Sequence, residues 1–462
     1  MFDARSILIR RLIGPLWARW ERSPYVVHYR HLKRTQFDPP QTIRPRQLQT
    51  LQSLLRHAQE TTSFYERRFA EIGFRPDDLR SLEDLARFPV LTKADIRNHG
   101  PEMIANTHDR RKLVSKATSG STGVPLEVFA DESCMQFRRA CTLRSDEWSG
   151  WSWGERILLL WGGQGRCDWR GRLRNALLER IYYLDTLQVT DETLTTCLEA
   201  ARRQPPSLLL GHAHSLYLLA DYARSHGGPG FQPRGIISTA MVLHDWQRRA
   251  IEEVFGCKVT NRYGCEEVSL IASECEQHDG LHINADGIYL EILSPDGQPA
   301  PPGEAGAVVV TDLANRAMPI IRYQIGDMAV LSERACPCGR GLPLLERVEG
   351  RVADYIVTPS GRLVSGISLT DHFATLVPGL VQLQMVQETI DSLRFRIVRG
   401  PDFGSDSLDR IAQLVKEWFG TEIHYECEFV EKIPQEPSGK YRFCISKVDK
   451  NALFQFSSSR IS

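Results

Sequence analysis

The 462-residue sequence predicts an α/β protein in two units: a large one, residues 1–352, of layered strands and helices with a β-rich part, and a small α+β unit, residues 353–462. Three observations carry this. The length exceeds what one ordinary core fills, so more than one domain is expected. Between residues 156 and 240, short apolar runs alternate with helical patterns, as in a parallel sheet with helices on its faces. From residue 291 the texture changes to short strands divided by Gly/Pro turns.

Taken in order, Ile7, Leu8, Ile9, Leu12, Ile13 and Leu16 fall on a helical period that Arg10, Arg11 and Arg19 interrupt. No run reaches the roughly 18 to 20 apolar residues of a membrane span, and no small-residue cleavage site follows. The expectation is a helix packed on its own domain, with peripheral membrane contact through residues 1–20 as the alternative. Residues 46–110 read as helical, with Leu48, Leu51, Leu54 and Leu55 on one face and Thr92 as the cap of a helix starting near Lys93. Residues 126–129 alternate like a strand, and residues 156–161 form an apolar run of the kind buried in a parallel sheet. Further strands are expected at 207–210 and 235–238, with helices at 191–203 and 214–225. Residues 307–311 and 328–331 continue the β-rich texture. After Gly350-Arg351 come a hairpin-like passage (355–364), a helix near 370–376, a strand at 393–398, a helix at 407–419 and a strand at 423–429.

Composition narrows the function classes. Hydrophobic residues at 42% with 25% charged match a soluble globular protein. Lys+Arg and Asp+Glu are 57 each, which gives no electrostatic reason to expect nucleic acid as a partner. Eleven cysteines, an odd number at irregular intervals, argue against a secreted disulfide framework and for the cytoplasm.

The densest chemical signal is Lys116-Ala-Thr-Ser-Gly-Ser-Thr-Gly-Val-Pro125. Gly120 and Gly123 let backbone N–H groups approach an anion, and Thr118, Ser119, Ser121 and Thr122 add hydroxyl donors. It lacks the Gly-Lys-Ser/Thr ending of a Walker loop. Alone it reads as a turn. Downstream stand Tyr263-Gly264-Cys265-Glu266-Glu267, Tyr323-Gln-Ile-Gly326-Asp327, Gly350-Arg351 and Pro437-Ser-Gly-Lys440. A carboxylate such as Asp327 has two acceptor oxygens at about the spacing of a vicinal diol. Separately, Cys336-Pro-Cys338 and a Cys275/His282 pair offer four ligands for a closed tetrahedral zinc site, with His278 competing for the fourth place.

Taken together, the five motifs over residues 45–447 resemble the adenylate-forming superfamily of acyl-CoA ligases, in its phenylacetate–coenzyme A ligase branch and the offshoot often found with capsular polysaccharide genes. The resemblance implies activation of a carboxylic acid by ATP through an acyl-adenylate, then transfer to the thiol of CoA or of a carrier phosphopantetheine. Adenylation puts negative charge on both ends of an in-line displacement at the α-phosphate, which loop donors, Mg²⁺ and a lysine would stabilise. The resemblance assigns the β/γ-phosphates to Thr118–Gly123, Mg²⁺ to Glu267, a place near the adenine or acyl group to Tyr263 and Gly264, the ribose to Asp327, a ribose or phosphate contact to Arg351, and catalysis to Lys440 on a mobile C-terminal domain. It places the acyl pocket between Ser238-Thr-Ala240 and Tyr263, with Trp161, His212, His214 and Tyr217 as walls. A structural zinc belongs to part of the branch, whose Gly-Leu-His element favours His282. The implied partners are a small carboxylic acid, aromatic by family habit, and CoA or a carrier protein, with a homodimer as one assembly.

Two positions depart from the family pattern. Glu266 stands where relatives usually have a hydroxyl, and Ala353 precedes Asp354 where a Gly-Arg-x-Asp hinge is usual. One alternative, implied by the resemblance, is an adenylyltransferase that stops at the AMP adduct; the other, suggested by these departures, is a catalytically idle binding protein.

Overall fold

A computed structural model describes residues 4–118, 126–162, 169–186, 189–241, 243, 245–294, 297–348, 355–359, 363–365, 369, 373, 376–433 and 444–448. Strands β1 (Val114–Thr118) and β2 (Leu126–Ala130) form an antiparallel ribbon in which Thr118 pairs with Leu126. Next come β3 (Ile157–Trp161), β4 (Ile181–Asp185), β5 (Leu208–His212), β6 (Gly235–Thr239) and β7 (Val259–Cys265), running parallel in the order β4-β3-β5-β6-β7. Helices Asp191–Arg203, Ala213–Ser225 and Asp245–Phe255 accompany this half, where Leu158, Leu160, Leu209, Leu216, Ile236 and Ile251 share one core. Both faces are covered, so the strands read as continuous apolar runs rather than alternating ones.

The β-rich part is not a separate sheet. Strands β8 (Ser269–Glu274), β9 (Leu281–Ile283), β10 (Ile288–Leu293), β11 (Ala305–Asp312), β12 (Tyr323–Ser332) and β13 (Leu344–Val348) extend the parallel strands into one eleven-stranded sheet. The join is inside β7: Val259–Asn261 pairs parallel with β6, and Arg262–Cys265 pairs antiparallel with β8. Against the antiparallel half pack helices Pro40–Thr61 and Ser63–Ile72 through Leu51, Leu54, Leu55, Tyr65 and Phe69. The first of these starts at Pro40, ahead of the expected residue 46, because proline is pre-organised for a first helical turn. Thr92 caps helix Lys93–Met103 in a reciprocal capping box with Asp95, as expected. Tyr323–Asp327, whose Gly-Asp would read as a turn, instead opens the long strand β12, with Gly326 at φ 94° taking up the irregularity.

Strands β14 (Tyr355–Val357) and β15 (Leu363–Ser365) form the expected hairpin. Beyond it, β16 (Leu380–Thr389), β17 (Ser392–Arg399), β18 (His424–Phe429) and β19 (Cys444–Ser446) make a sheet ordered β18-β17-β16-β19. Helix Ser405–Phe419 packs on it in a core of its own, with Phe373, Leu383, Phe395, Ile397, Leu414 and Trp418. The domain boundary expected near residue 352 lies outside the described residues, as does most of the helix expected at 370–376. Among the described residues no helix is long and apolar enough to cross a membrane.

Candidate active site and metal centre

The change of pairing along β7, parallel with β6 and antiparallel with β8, places the Tyr263–Glu267 turn where the parallel and antiparallel halves of the sheet meet. In open α/β sheets ligands bind outside the carboxyl ends of the parallel strands, and this turn lies at the carboxyl end of β7. Gly264 is required there, because a Cβ would lie 2.5 Å from the Ser269 carbonyl oxygen. Tyr263 Oη donates to Asp327 Oδ2 at 2.9 Å, and Tyr323 Oη donates to Glu267 Oε1 at 2.8 Å. Two tyrosines thus hold two carboxylates between the β7 turn and strand β12, which have three strands between them in the sheet order. Glu267 is buried yet makes no ion pair among the described residues. Its carbonyl accepts from Arg138, which is itself ion-paired to buried Asp312. A buried carboxylate without a counter-charge fits a site that receives a cation.

Glu266 points elsewhere. It is exposed and pairs at 3.3 Å with Lys116, on strand β1 leading into the hydroxyl-rich loop. The departure at this position is therefore a tether between the Tyr263 turn and the ribbon. Residues Ser119, Gly120, Ser121, Thr122 and Gly123, together with Arg351 and Lys440, lie outside the described residues; Thr118 is described only as the backbone end of β1.

At the ends of the parallel strands, Ser238 is fully buried and its hydroxyl has no hydrogen-bond partner among the described residues. Ala240 follows with φ 65°, a left-handed conformation uncommon for a residue with a Cβ. His212 pairs in register with Thr239, and its ring lies 4.2 Å from that of Trp161; neither ring nitrogen finds a partner among the described residues. His214 contacts the Tyr217 ring at 5.9 Å. Burial pushes both histidines down to about 4. Of the side chains expected as pocket walls, Trp161 and His212 end the neighbouring strands β3 and β5, with Ser238 on β6 beside them, while His214 and Tyr217 stand on the helix that follows β5.

The four sulfur and nitrogen ligands converge. Ligand atoms of Cys275, His282, Cys336 and Cys338 all lie within 4.8 Å of one another. Strand pairing does this: β9 carries His282 between β8, which ends just before Cys275, and β13, which follows the Cys336–Cys338 loop. The Cys275 and Cys336 sulfurs are 3.6 Å apart, and Cys338 Sγ is 3.2 Å from His282 Nε2. Sulfurs at about 2.3 Å from one tetrahedral ion stand about 3.8 Å apart, so the spacing suits a metal. His282 Nδ1 lies 3.3 Å from the Leu342 carbonyl, and the N–H groups of Gln277 and Arg340 point at Cys275 and Cys338 sulfurs, the outer contacts that orient metal ligands. His278 instead sits 3.3 Å from Glu274, and His282 is the histidine in the four-residue cluster.

Sequence reasoning gave no role to Tyr323, Arg138 or Lys116. Tyr323 and Lys116 lay inside quoted motifs, but the Lys116 partner is 150 residues away; Arg138 carries no local signal, because its partners are 129 to 174 residues away.

Residues 356–447 match the family model described as the CapK C-terminal domain. Phenylacetate-coenzyme A ligase of Thermus thermophilus is 29% identical over 339 residues, covering 69% of this chain and 72% of that protein. Protein CapK of Staphylococcus aureus is 25% identical over 387 residues, covering 80% and 81%. Among solved structures, 2-hydroxyisobutyryl-CoA ligase in complex with its acyl-AMP and CoA has a TM-score of 0.63 at 22% identity, covering 92% of this chain and 94% of that one. By its motifs, its fold and these relatives, the chain is similar to the adenylate-forming superfamily, in the phenylacetate–coenzyme A ligase-like branch.

Proposed function

We propose that the chain is an acid–thiol ligase: the carboxylate of a small acid attacks the α-phosphate of ATP, pyrophosphate leaves, and a thiol then takes the acyl group from the adenylate and releases AMP. The observation that carries this reading is the paired arrangement at the sheet seam, Tyr263 on Asp327 at 2.9 Å and Tyr323 on Glu267 at 2.8 Å. Asp327 offers two oxygens to a ribose diol and Tyr263 fixes its orientation. Glu267, buried and without an ion pair among the described residues, would hold Mg²⁺, which neutralises phosphate charge when bound. The hydroxyl loop 118–123 would hold the β/γ-phosphates, Arg351 the ribose or phosphate, and Lys440, carried on a small mobile unit from about residue 353, the transition-state charge.

The acyl group would lie against Trp161, His212 and Ser238, with Ala240 and Tyr263 at its edge. An aromatic acid suits the Trp161 face, and the unpartnered His212 and Ser238 favour one with a polar substituent. Free CoA is the proposed acceptor, with a phosphopantetheine carrier as its chemical equivalent. The four-ligand cluster would hold one structural Zn²⁺. The cytoplasm supplies ATP and CoA, and all the described cysteines are free.

The test is release of pyrophosphate and AMP against a panel of aryl and alkyl carboxylic acids, with and without CoA. A ligase releases AMP and forms thioester only when CoA is present. Pyrophosphate release with AMP left on the product would make the protein an adenylyltransferase instead, and no acid-dependent turnover would reduce it to a binding protein.

A further inference from the structure

Burial along residues 4–20 runs against residue size. Helix Ala4–Leu8, a π turn at Ile9–Ile13 and helix Gly14–Trp20 follow one another without a break. Their inward residues are Ser6, Ile9, Gly14 and Ala18, three of them small. Outward stand Leu8, Leu12, Leu16 and Trp20, exposed by 47%, 51%, 57% and 67%. The inward face is cut for close approach, since a Cβ on Gly14 would run into the Trp153 ring. A helix that served only its own core would turn its leucines inward.

The outward residues are spaced by four. In a continuous α-helix, positions four apart advance by about 40° at each step, so the row would wind off its face. The intervening π turn closes i→i+5 bonds and rotates less per residue. It sets the row back, and four large apolar side chains stay on one stripe. The neighbouring segment, held by Arg5 donating to the Ala176 carbonyl at 2.6 Å, adds Trp169 at 63% and Leu173 at 42% exposure.

Charge selects what covers this stripe. Arg10, Arg11, Arg19, Arg22, Arg170 and Arg172 flank it, and none makes an ion pair among the described residues. Glu21 is the one acid between residues 4 and 22, in a chain whose net charge is zero. A second copy of the chain docked here would set like charges against one another. We propose that this face lies on the surface of a membrane rich in anionic lipid, with Leu8, Leu12, Leu16 and Trp20 in the boundary between headgroups and acyl chains and the arginines on headgroup phosphates. The contact is peripheral, since no described helix is long and apolar enough to cross. It does not depend on the ligase reading.

Cosedimentation of the full chain with vesicles of phosphatidylcholine alone, or with added phosphatidylglycerol, tests this. Binding to the anionic vesicles should be at least about tenfold tighter and should weaken as salt rises. Leu12→Ser/Leu16→Ser/Trp20→Ser should lose roughly tenfold or more of it while the circular dichroism spectrum and any acid-dependent turnover persist. Arg10→Gln/Arg11→Gln/Arg19→Gln, which leaves the stripe intact, should lose the anionic preference. Absence of vesicle binding by the wild-type chain overturns the proposal. So does undiminished binding by both variants, or a dimer in light scattering that the serine variant breaks while lipid is ignored.

Discussion

Tyr323 shows how much of the site depends on single atoms. Its hydroxyl is a donor to buried Glu267 across 56 residues of sequence, so Tyr323→Phe leaves that carboxylate short of a partner at a cost of about 1–3 kcal/mol. If Glu267 holds the cation, the variant's pyrophosphate release should need more Mg²⁺ for half-maximal rate; an unchanged requirement would detach Glu267 from the metal. Asp327→Ala, which strips Tyr263 of its acceptor, should weaken ATP binding in calorimetry, and wild-type affinity would remove Asp327 from the ribose. Tyr263, Glu267 and Asp327 are legible in the sequence because short contiguous motifs carry them, whereas the Tyr323–Glu267 and Lys116–Glu266 partnerships exist only once the strand order is known. His212 and His214 add a pH dependence. Burial holds both at about 4 when folded, below the 6.5 of an exposed imidazole. The unfolded chain therefore binds more protons between those values, and stability falls as pH drops from about 6.5 toward 4, each histidine adding up to about 1.4 kcal/mol per pH unit. Chemical denaturation at stepped pH should show this slope, reduced in His212→Phe; an equal slope in that variant would mean that His212 is not buried neutral.

The Cys336–Gly341 loop is the element on which distant parts of the chain meet. Cys336 and Cys338 turn toward Cys275 and His282, while Arg340 reaches Gln36 and Glu276 and the Gly341 N–H donates to the Gln36 carbonyl at 3.1 Å. A side chain at Gly341 would strike the Asp38 backbone, so glycine is needed for that approach. Trp148 completes the junction by donating to Gln36 at 2.9 Å. The ligand spacing was visible in the sequence; the docking onto residues 36–38 was not, because neither side carries a periodic or charged signature. Metal-replete protein should hold about one zinc per chain, and Cys338→Ser should release it and lower the melting temperature, since binding to the folded state alone is folding free energy. Because the loop also grips Gln36, hydrogen exchange should accelerate around residues 36–43 as well as at 275–282 and 336–342. Protein prepared without chelator that carries no zinc would end the metal reading. Faster exchange confined to the two ligand segments would end the junction.

At the scale of the molecule, the eleven-stranded sheet is one body because β7 serves both halves, while the core of residues 356–444 is closed on its own. That division fits a chemistry in two halves. Adenylation needs a cation at the α-phosphate, and thioester formation needs that region opened to a thiol, demands that one fixed constellation would meet poorly. On the proposed mechanism Lys440 belongs to the small unit and serves the first half alone. A side chain engaged only at the adenylation transition state lowers the rate when removed without touching the later step. Lys440→Ala should therefore slow acyl-adenylate formation by roughly 10² to 10³, while thioester formation from preformed acyl-adenylate and CoA stays near the wild-type rate. Single-turnover assays of the two steps, started from acid plus ATP and from acyl-adenylate, separate them. Equal losses in both would mean that Lys440 stays in place throughout, and the small unit would then have one working orientation. No loss in either would take Lys440 out of the reaction.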